Sequence, residues 1–200
     1  MALAEITQPL FFTVAIINAL IGTGALLVLV AWASNPPFWP ALKKHFSKHG
    51  IKYAFTTATL ATLGSLWLSE ISGIPPCKLC WYQRVAMYPL IVVLGVGILK
   101  RKSQARLTGL LLAGAGFLIA GYHYLVQRAA FWRAGDLNSV QQLIINVFQS
   151  IGLNIQAPNC AVDASCSVMY LGYWGFYSIP LFALVSFFVI LVALYLYKEK

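Results

Sequence analysis

The sequence predicts an all-α integral membrane protein: a four-helix transmembrane bundle plus one additional N-terminal transmembrane helix and an amphipathic helix on the outer face. Three observations predict it. Of the 200 residues, 60% are hydrophobic and only 10% charged, too little charge to wet the surface of a soluble domain of that size. The apolar residues are bunched into runs of the roughly 20 residues that cross a ~30 Å hydrocarbon layer. No run alternates apolar and polar as a barrel strand does, which leaves helices as the way to satisfy the backbone in lipid.

Five spans follow in order: Leu10 to Ala33, Tyr53 to Ser69, Arg84 to Leu99, Leu107 to Gln127, and Leu171 to Tyr197. The first has no Lys or Arg ahead of it and is longer than the apolar region of a signal peptide, so it is expected to be a membrane helix. The second and third are short. The fourth is interrupted by one ionisable residue, His123, four residues from its outer end. Such groups in spans face the protein interior and mark function; the competing reading is an interfacial histidine between Tyr122 and Tyr124. Between the fourth and fifth spans, "NSVQQLIINVFQSIGLNI" sets Val140, Leu143, Ile144, Val147 and Ile151 at helical spacing. It is too short and polar to span, and an amphipathic helix lying on the outer leaflet fits it.

The charge distribution gives an orientation. Net charge is +9. Lys43, Lys44, Lys48 and Lys52 follow the first span. Lys100, Arg101, Lys102 and Arg106 follow the third, and Lys198 and Lys200 follow the fifth. If the spans alternate, all ten lie on one side, which the positive-inside rule makes cytoplasmic. The expectation is a multi-pass protein of a bacterial cytoplasmic (inner) membrane, N-terminus outside and C-terminus cytoplasmic. This topology accounts for the basic total, and no groove-like basic patch points to nucleic acid.

All four cysteines then fall at or outside the outer face, where disulfides persist. In "PPCKLCWYQRVAMYPL", residues 75–90, the prolines cannot extend a helix from the left, so a helix is expected to begin at Pro76 or Cys77. Its unpaired N–H groups and positive dipole end favour a thiolate. Arg84 stands four residues after Cys80 and seven after Cys77, on the same helix face, where its cation favours a thiolate further and suits an anionic or carbonyl-bearing ligand. A C-x-x-C pair closes a strained, reducible bond, whereas structural staples close longer loops. The pair is therefore read as redox-active. The second pair, Cys160 and Cys166 in "CAVDASC", is by itself more like a loop staple; beside a redox pair, a relay through mixed disulfides becomes plausible. A zinc-binding membrane protein and a non-catalytic membrane scaffold with two structural disulfides are the alternatives.

"PPCKLCWYQRVAMYPL" resembles the signature of the disulfide bond formation protein B (DsbB) family, closest to its shorter BdbC-type branch. "YHYLVQ" and "WGFYSIPLFAL" are similar to that branch's later helices. The resemblance covers roughly residues 53–197, dividing the chain into an extra N-terminal helix with a basic cytoplasmic loop (1–52) and a DsbB-like four-helix redox domain (53–200). It implies a membrane thiol-disulfide oxidoreductase that reoxidises a thioredoxin-like extracytoplasmic thiol oxidase (DsbA or BdbD type) and passes the electrons to a membrane quinone, ubiquinone or menaquinone. It implies that Cys160 takes the partner's attack, Cys166 exchanges with Cys77, Cys80 as thiolate meets the quinone, and Arg84 and His123 line the quinone pocket. Three features depart from the family pattern. Gln83 stands where the better-studied branch often has Glu, the second cysteine pair is closely spaced, and the first span has no counterpart.

Overall fold

The computed structural model describes residues 2–100, 103–133, 139–150, 152, 166, 172–173 and 176–197. In chain order it comprises α1 (Ala2–Ser34), α2 (Trp39–Leu66), a π-helical turn (Trp67–Ile71), α3 (Lys78–Lys100), α4 (Ser103–Arg133), α5 (Ser139–Ser150), a two-residue hairpin of β1 (Gly172–Tyr173) and β2 (Tyr177–Ser178), and α6 (Ile179–Leu196). Among the described residues four helices are long and apolar enough to cross a membrane: Pro9–Ser34 within α1, α3, most of α4, and α6. The second expected span, Tyr53 to Ser69, is the apolar half of α2 extended by the π-turn.

The basic segment expected as a loop is helical. Lys43, Lys44, Lys48 and Lys52 all lie within α2. Pro40 sits in the first turn, where its missing N–H costs nothing, and Ala, Leu and Lys propagate the helix from there. The 52/53 division of the chain therefore falls inside one continuous helix.

A bundle of α2, α3, α4 and α6 holds the main core, with α3 against α4, α4 against α6, and α2 against both α6 and α3. Ala54 and Ala58 of α2, Leu90 and Leu94 of α3, Ala113 and Ala120 of α4, and Phe187 and Ile190 of α6 are completely buried there. Small residues let the backbones approach closely, as in other membrane bundles. Gly116 shows why: a Cβ at that position would overlap the Phe187 ring. Arg106 closes the far end of α6 by donating to the carbonyls of Leu194 (2.9 Å) and Tyr195 (3.1 Å), which the helix itself leaves unpaired.

Helix α1 packs along α6. Helix α5 keeps its amphipathic character, with Leu143 and Val147 largely exposed. An uncovered apolar stripe of this kind suits a lipid surface.

Candidate functional site

The site is built at the join between α2 and α3. The π-turn and Gly73 shape it. Gly73 adopts φ +65°, a left-handed conformation natural to glycine, and Ile74 can then bond back to the Leu68 carbonyl at 3.0 Å. Ile74, Pro75 and Pro76 lead directly into α3. Cys77 is the N-cap residue: its carbonyl accepts the first helical bond, from Trp81, at 3.1 Å. The first full turn holds Cys80.

Cys77 and Cys80 are both free thiols, their sulfurs 3.5 Å apart. His123 of α4 places Nε2 3.6 Å from the Cys77 sulfur, and its Nδ1 lies 3.0 Å from the Gln83 side-chain amide. His123 and Gln83 are both buried. With the Gln83 N–H donating to Nδ1, the neutral imidazole carries its proton on Nε2, directed at sulfur; the tautomer is thus set by the second partner. The hydrogen bond from the Cys80 thiol lowers the Cys77 pKa. Burial opposes this shift, while His123 and the Cys80 backbone N–H reinforce it. Cys77 occupies the cap position and faces the histidine; the Cys80 thiolate expected from the sequence concerns the acceptor step.

Arg84 is buried as well, but it does not hydrogen-bond the thiols. Its Nε donates to the Ser65 hydroxyl (2.9 Å), and Nη2 donates to the Ser65 carbonyl (2.7 Å) and the Ser69 hydroxyl (2.8 Å). A π-turn widens the helix and re-registers its carbonyls, and the guanidinium ties this widened end of α2 to α3. Its other side lies 5.2 Å from the Trp81 ring centre. Trp81 and Tyr82 point outward and are half exposed.

Two cavities meet at the pair. A larger one, about 210 Å³, is lined by Cys80, Gln83, Arg84, Met87 and Tyr88 of α3, by residues of α2 between Thr57 and Ser65, by Leu68 of the π-turn, and by residues of α1 and α6. A smaller one, about 50 Å³, contains Cys77, Cys80, His123, Gln127 and the Pro75–Pro76 turn. Cys80 borders both; Cys77 borders only the smaller. Cys166, bonded in a disulfide, packs in one buried cluster with Cys77 and Leu79, against which Cys80 and Tyr122 also pack. Cys160 lies outside the described residues. The structure therefore brings together Cys77, Cys80, Arg84, His123 and Cys166.

The profile of the family described as "Disulfide bond formation protein DsbB" matches residues 48–197. The chain belongs to the DsbB family. Relatives of this DsbB-family chain include a probable disulfide formation protein of Oceanobacillus iheyensis, 39% identical over 68% of this chain and 79% of its own length. The probable disulfide formation protein C 2 of Bacillus anthracis is 37% identical over 76% and 93%. The disulfide bond formation protein C of Bacillus subtilis is 32% identical over 74% and 91%. No solved structure matches the chain. Family membership and the apolar helices assign the protein to disulfide-bond formation at a membrane, as a disulfide oxidoreductase, which sets aside the non-catalytic scaffold.

Gln83 is the residue that sequence reasoning undervalues, marking it only as a departure from Glu. A signal is present: it stands three positions after Cys80, polar within an apolar run, on the face that must turn inward.

Proposed function

We propose that the protein passes electrons from a reduced, extracytoplasmic thioredoxin-like dithiol, through its loop cysteines and the Cys77–Cys80 pair, to a membrane quinone. The observation that carries this is the placement of the C-x-x-C: both cysteines pack with Cys166, and Cys80 alone of the pair also lines the larger apolar cavity. In this reading the soluble partner's thiolate attacks Cys160 and reduces the loop disulfide. The loop dithiol then attacks the Cys77–Cys80 disulfide through a mixed Cys166–Cys77 bond, leaving the loop oxidised and the pair reduced. Closing the Cys77–Cys80 bond again releases two electrons and two protons. A quinone bound beside Cys80 supplies the sink for both.

The cavity suits such a ring in its chemistry. Its walls are mostly apolar, Cys80 borders it, and the buried Thr62 hydroxyl in its lining has no hydrogen-bond partner. The chain's own residues do the rest. His123 directs an N–H at the Cys77 sulfur and favours its ionised form, the attacking species in exchange. Gln83 holds the imidazole. Arg84 fixes the cavity end through Ser65 and Ser69 and keeps a permanent cation in its wall. Residues 1–52 are an appended segment and 53–200 the redox domain. The thiols face the extracytoplasmic side of a bacterial cytoplasmic membrane, with the ten basic residues inside.

The test mixes purified protein with a short-chain quinone and a reduced thioredoxin-like donor and follows quinone absorbance. Turnover in wild type and none in Cys80→Ser is the expected result; matching traces would remove the quinone route.

A second reading has its own observation. Ligand atoms of Cys77, Cys80 and His123 all lie within 4.8 Å of one another, a Cys₂His set that zinc accepts. Stoichiometric zinc in protein purified without added metal, together with absent quinone turnover, would favour it.

A further inference from the structure

Helix α1 lies outside the family-matched residues 48–197, yet it lines the larger cavity with Phe11, Val14, Ile17, Asn18 and Ile21. We propose that α1 is part of the acceptor site: together with Thr62 of α2 it completes the slot that receives the ring of a lipid-soluble quinone. The proposal rests on the quinone reading above and adds which elements grip the ring.

Three observations support it. First, α1 is docked in a defined register. Phe11, Ala15, Asn18, Gly22 and Ala25 recur at alternating steps of four and three residues, the spacing of a left-handed helix seam. Phe11, Ala15 and Ala25 are buried, and a Cβ at Gly22 would stand 2.6 Å from Val185 of α6. A small residue there lets the two helices meet closely.

Second, the seam carries one polar clamp. The Asn18 amide donates to the Ser186 hydroxyl (3.3 Å) and its carbonyl accepts from the Tyr177 hydroxyl (2.6 Å). A single polar residue in such a seam fixes register, so Val14, Ile17 and Ile21, although partly exposed, are held at the cavity wall.

Third, the cavity has an unanswered donor. The Thr62 hydroxyl is buried without a partner, a cost until something accepts its proton. Thr62 precedes Ser65, the Arg84 anchor, by three residues on α2, roughly 4.5 Å along the axis. A ring carbonyl supplies the missing acceptor; a lipid acyl chain has none.

The experiment uses the full chain in lipid nanodiscs. An azido-quinone is photolysed on the protein and the labelled peptides are mapped. Separately, equilibrium binding of decylubiquinone is measured by tryptophan quenching for wild type, Thr62→Val, Thr62→Ser and Val14→Trp. Label within residues 9–34 is expected. Thr62→Val should bind about five- to tenfold more weakly, matching the loss of one hydrogen bond, with Thr62→Ser restoring affinity. Val14→Trp, which fills the slot, should bind at least tenfold more weakly. Melting profiles and thiol counts should match wild type in all three. If wild type neither binds nor reduces the quinone, the functional reading itself falls. If wild type does both, but label avoids α1 and every variant binds as wild type, this inference alone is overturned.

Discussion

The two sulfurs of one C-x-x-C turn live in different surroundings. Cys77 caps a helix beside His123, in a small cavity, packed with the loop cysteine Cys166. Cys80, one turn on, borders that cavity and also a larger apolar one walled by α1, α2, α3 and α6. A helical turn thus separates a place suited to thiolate exchange from a place suited to a lipid-soluble acceptor. The lesson is positional: the N-cap residue is reachable from the loop side, and the residue three later projects into the bundle. The Pro75–Pro76 stop decides which cysteine becomes the cap.

That comparison can be broken at several points. The largest effect is expected from Cys77→Ser or Cys80→Ser, each of which should abolish quinone reduction, because either loss prevents the pair from closing. Next comes His123→Ala. The histidine helps to lower the Cys77 pKa, so its removal should move the midpoint of Cys77 alkylation upward, toward the ~8.5 of a free thiol. Thiolate fraction rises with pH through the pKa. Once the midpoint lies above neutrality, each further pH unit it climbs should lower reactivity at neutral pH about tenfold, while the plateau at high pH is unchanged. Mass-spectrometric counting of modified Cys77 across pH checks this; an unmoved midpoint would remove His123 from the exchange side.

Gln83→Leu should act in the same direction but less, about two- to fivefold at neutral pH. It frees the imidazole to choose its tautomer without removing it. On the other side, Arg84→Ala should weaken quinone binding and leave the Cys77 alkylation midpoint nearly in place, since its hydrogen bonds go to Ser65 and Ser69. A midpoint that moved as far as in His123→Ala would dissolve the distinction between the two sides. The smallest effect on chemistry is expected from Gly116→Ala, far from both thiols in sequence. Its methyl must displace the Phe187 ring, costing about 1–3 kcal/mol of stability with turnover per folded molecule unchanged.

The fold was largely legible because lipid imposes length and apolarity on each span; α1 and α4 sit where their apolar runs predicted, while the fifth span, expected from Leu171, becomes helical only at Ile179, after the β1–β2 hairpin. The C-x-x-C motif and its proline stop were equally plain, and Arg84 and His123 stood out as ionisable groups in apolar runs. What stayed hidden depended on partners chosen in three dimensions. Periodicity put Arg84 on the face of Cys80, but its guanidinium hydrogen-bonds Ser65 and Ser69 at the end of α2 and in the π-turn instead. The partner of His123 was hidden for the same reason: helix-dipole and spacing arguments treat both cysteines alike, while the His123 Nε2 lies 3.6 Å from the Cys77 sulfur. The helical state of Lys43 to Lys52 was obscured because charge signals a membrane boundary without signalling a break in the helix. Nothing in the pattern of α1 revealed which neighbour it would meet, since an apolar helix in lipid has several equivalent faces.

The most direct test of the two-sided dithiol is a map of trapped mixed disulfides. Full-length Cys80→Ser and Cys77→Ser proteins would be held with the loop disulfide oxidised and no reduced donor, so that the remaining thiolate can attack the loop disulfide and release one loop thiolate, then quenched with acid, digested without reductant and analysed for linked peptides. The account predicts a Cys77–Cys166 link in Cys80→Ser and no counterpart through Cys80 in Cys77→Ser. A Cys80–Cys166 link forming at the same yield would contradict it, because either sulfur could then serve either side.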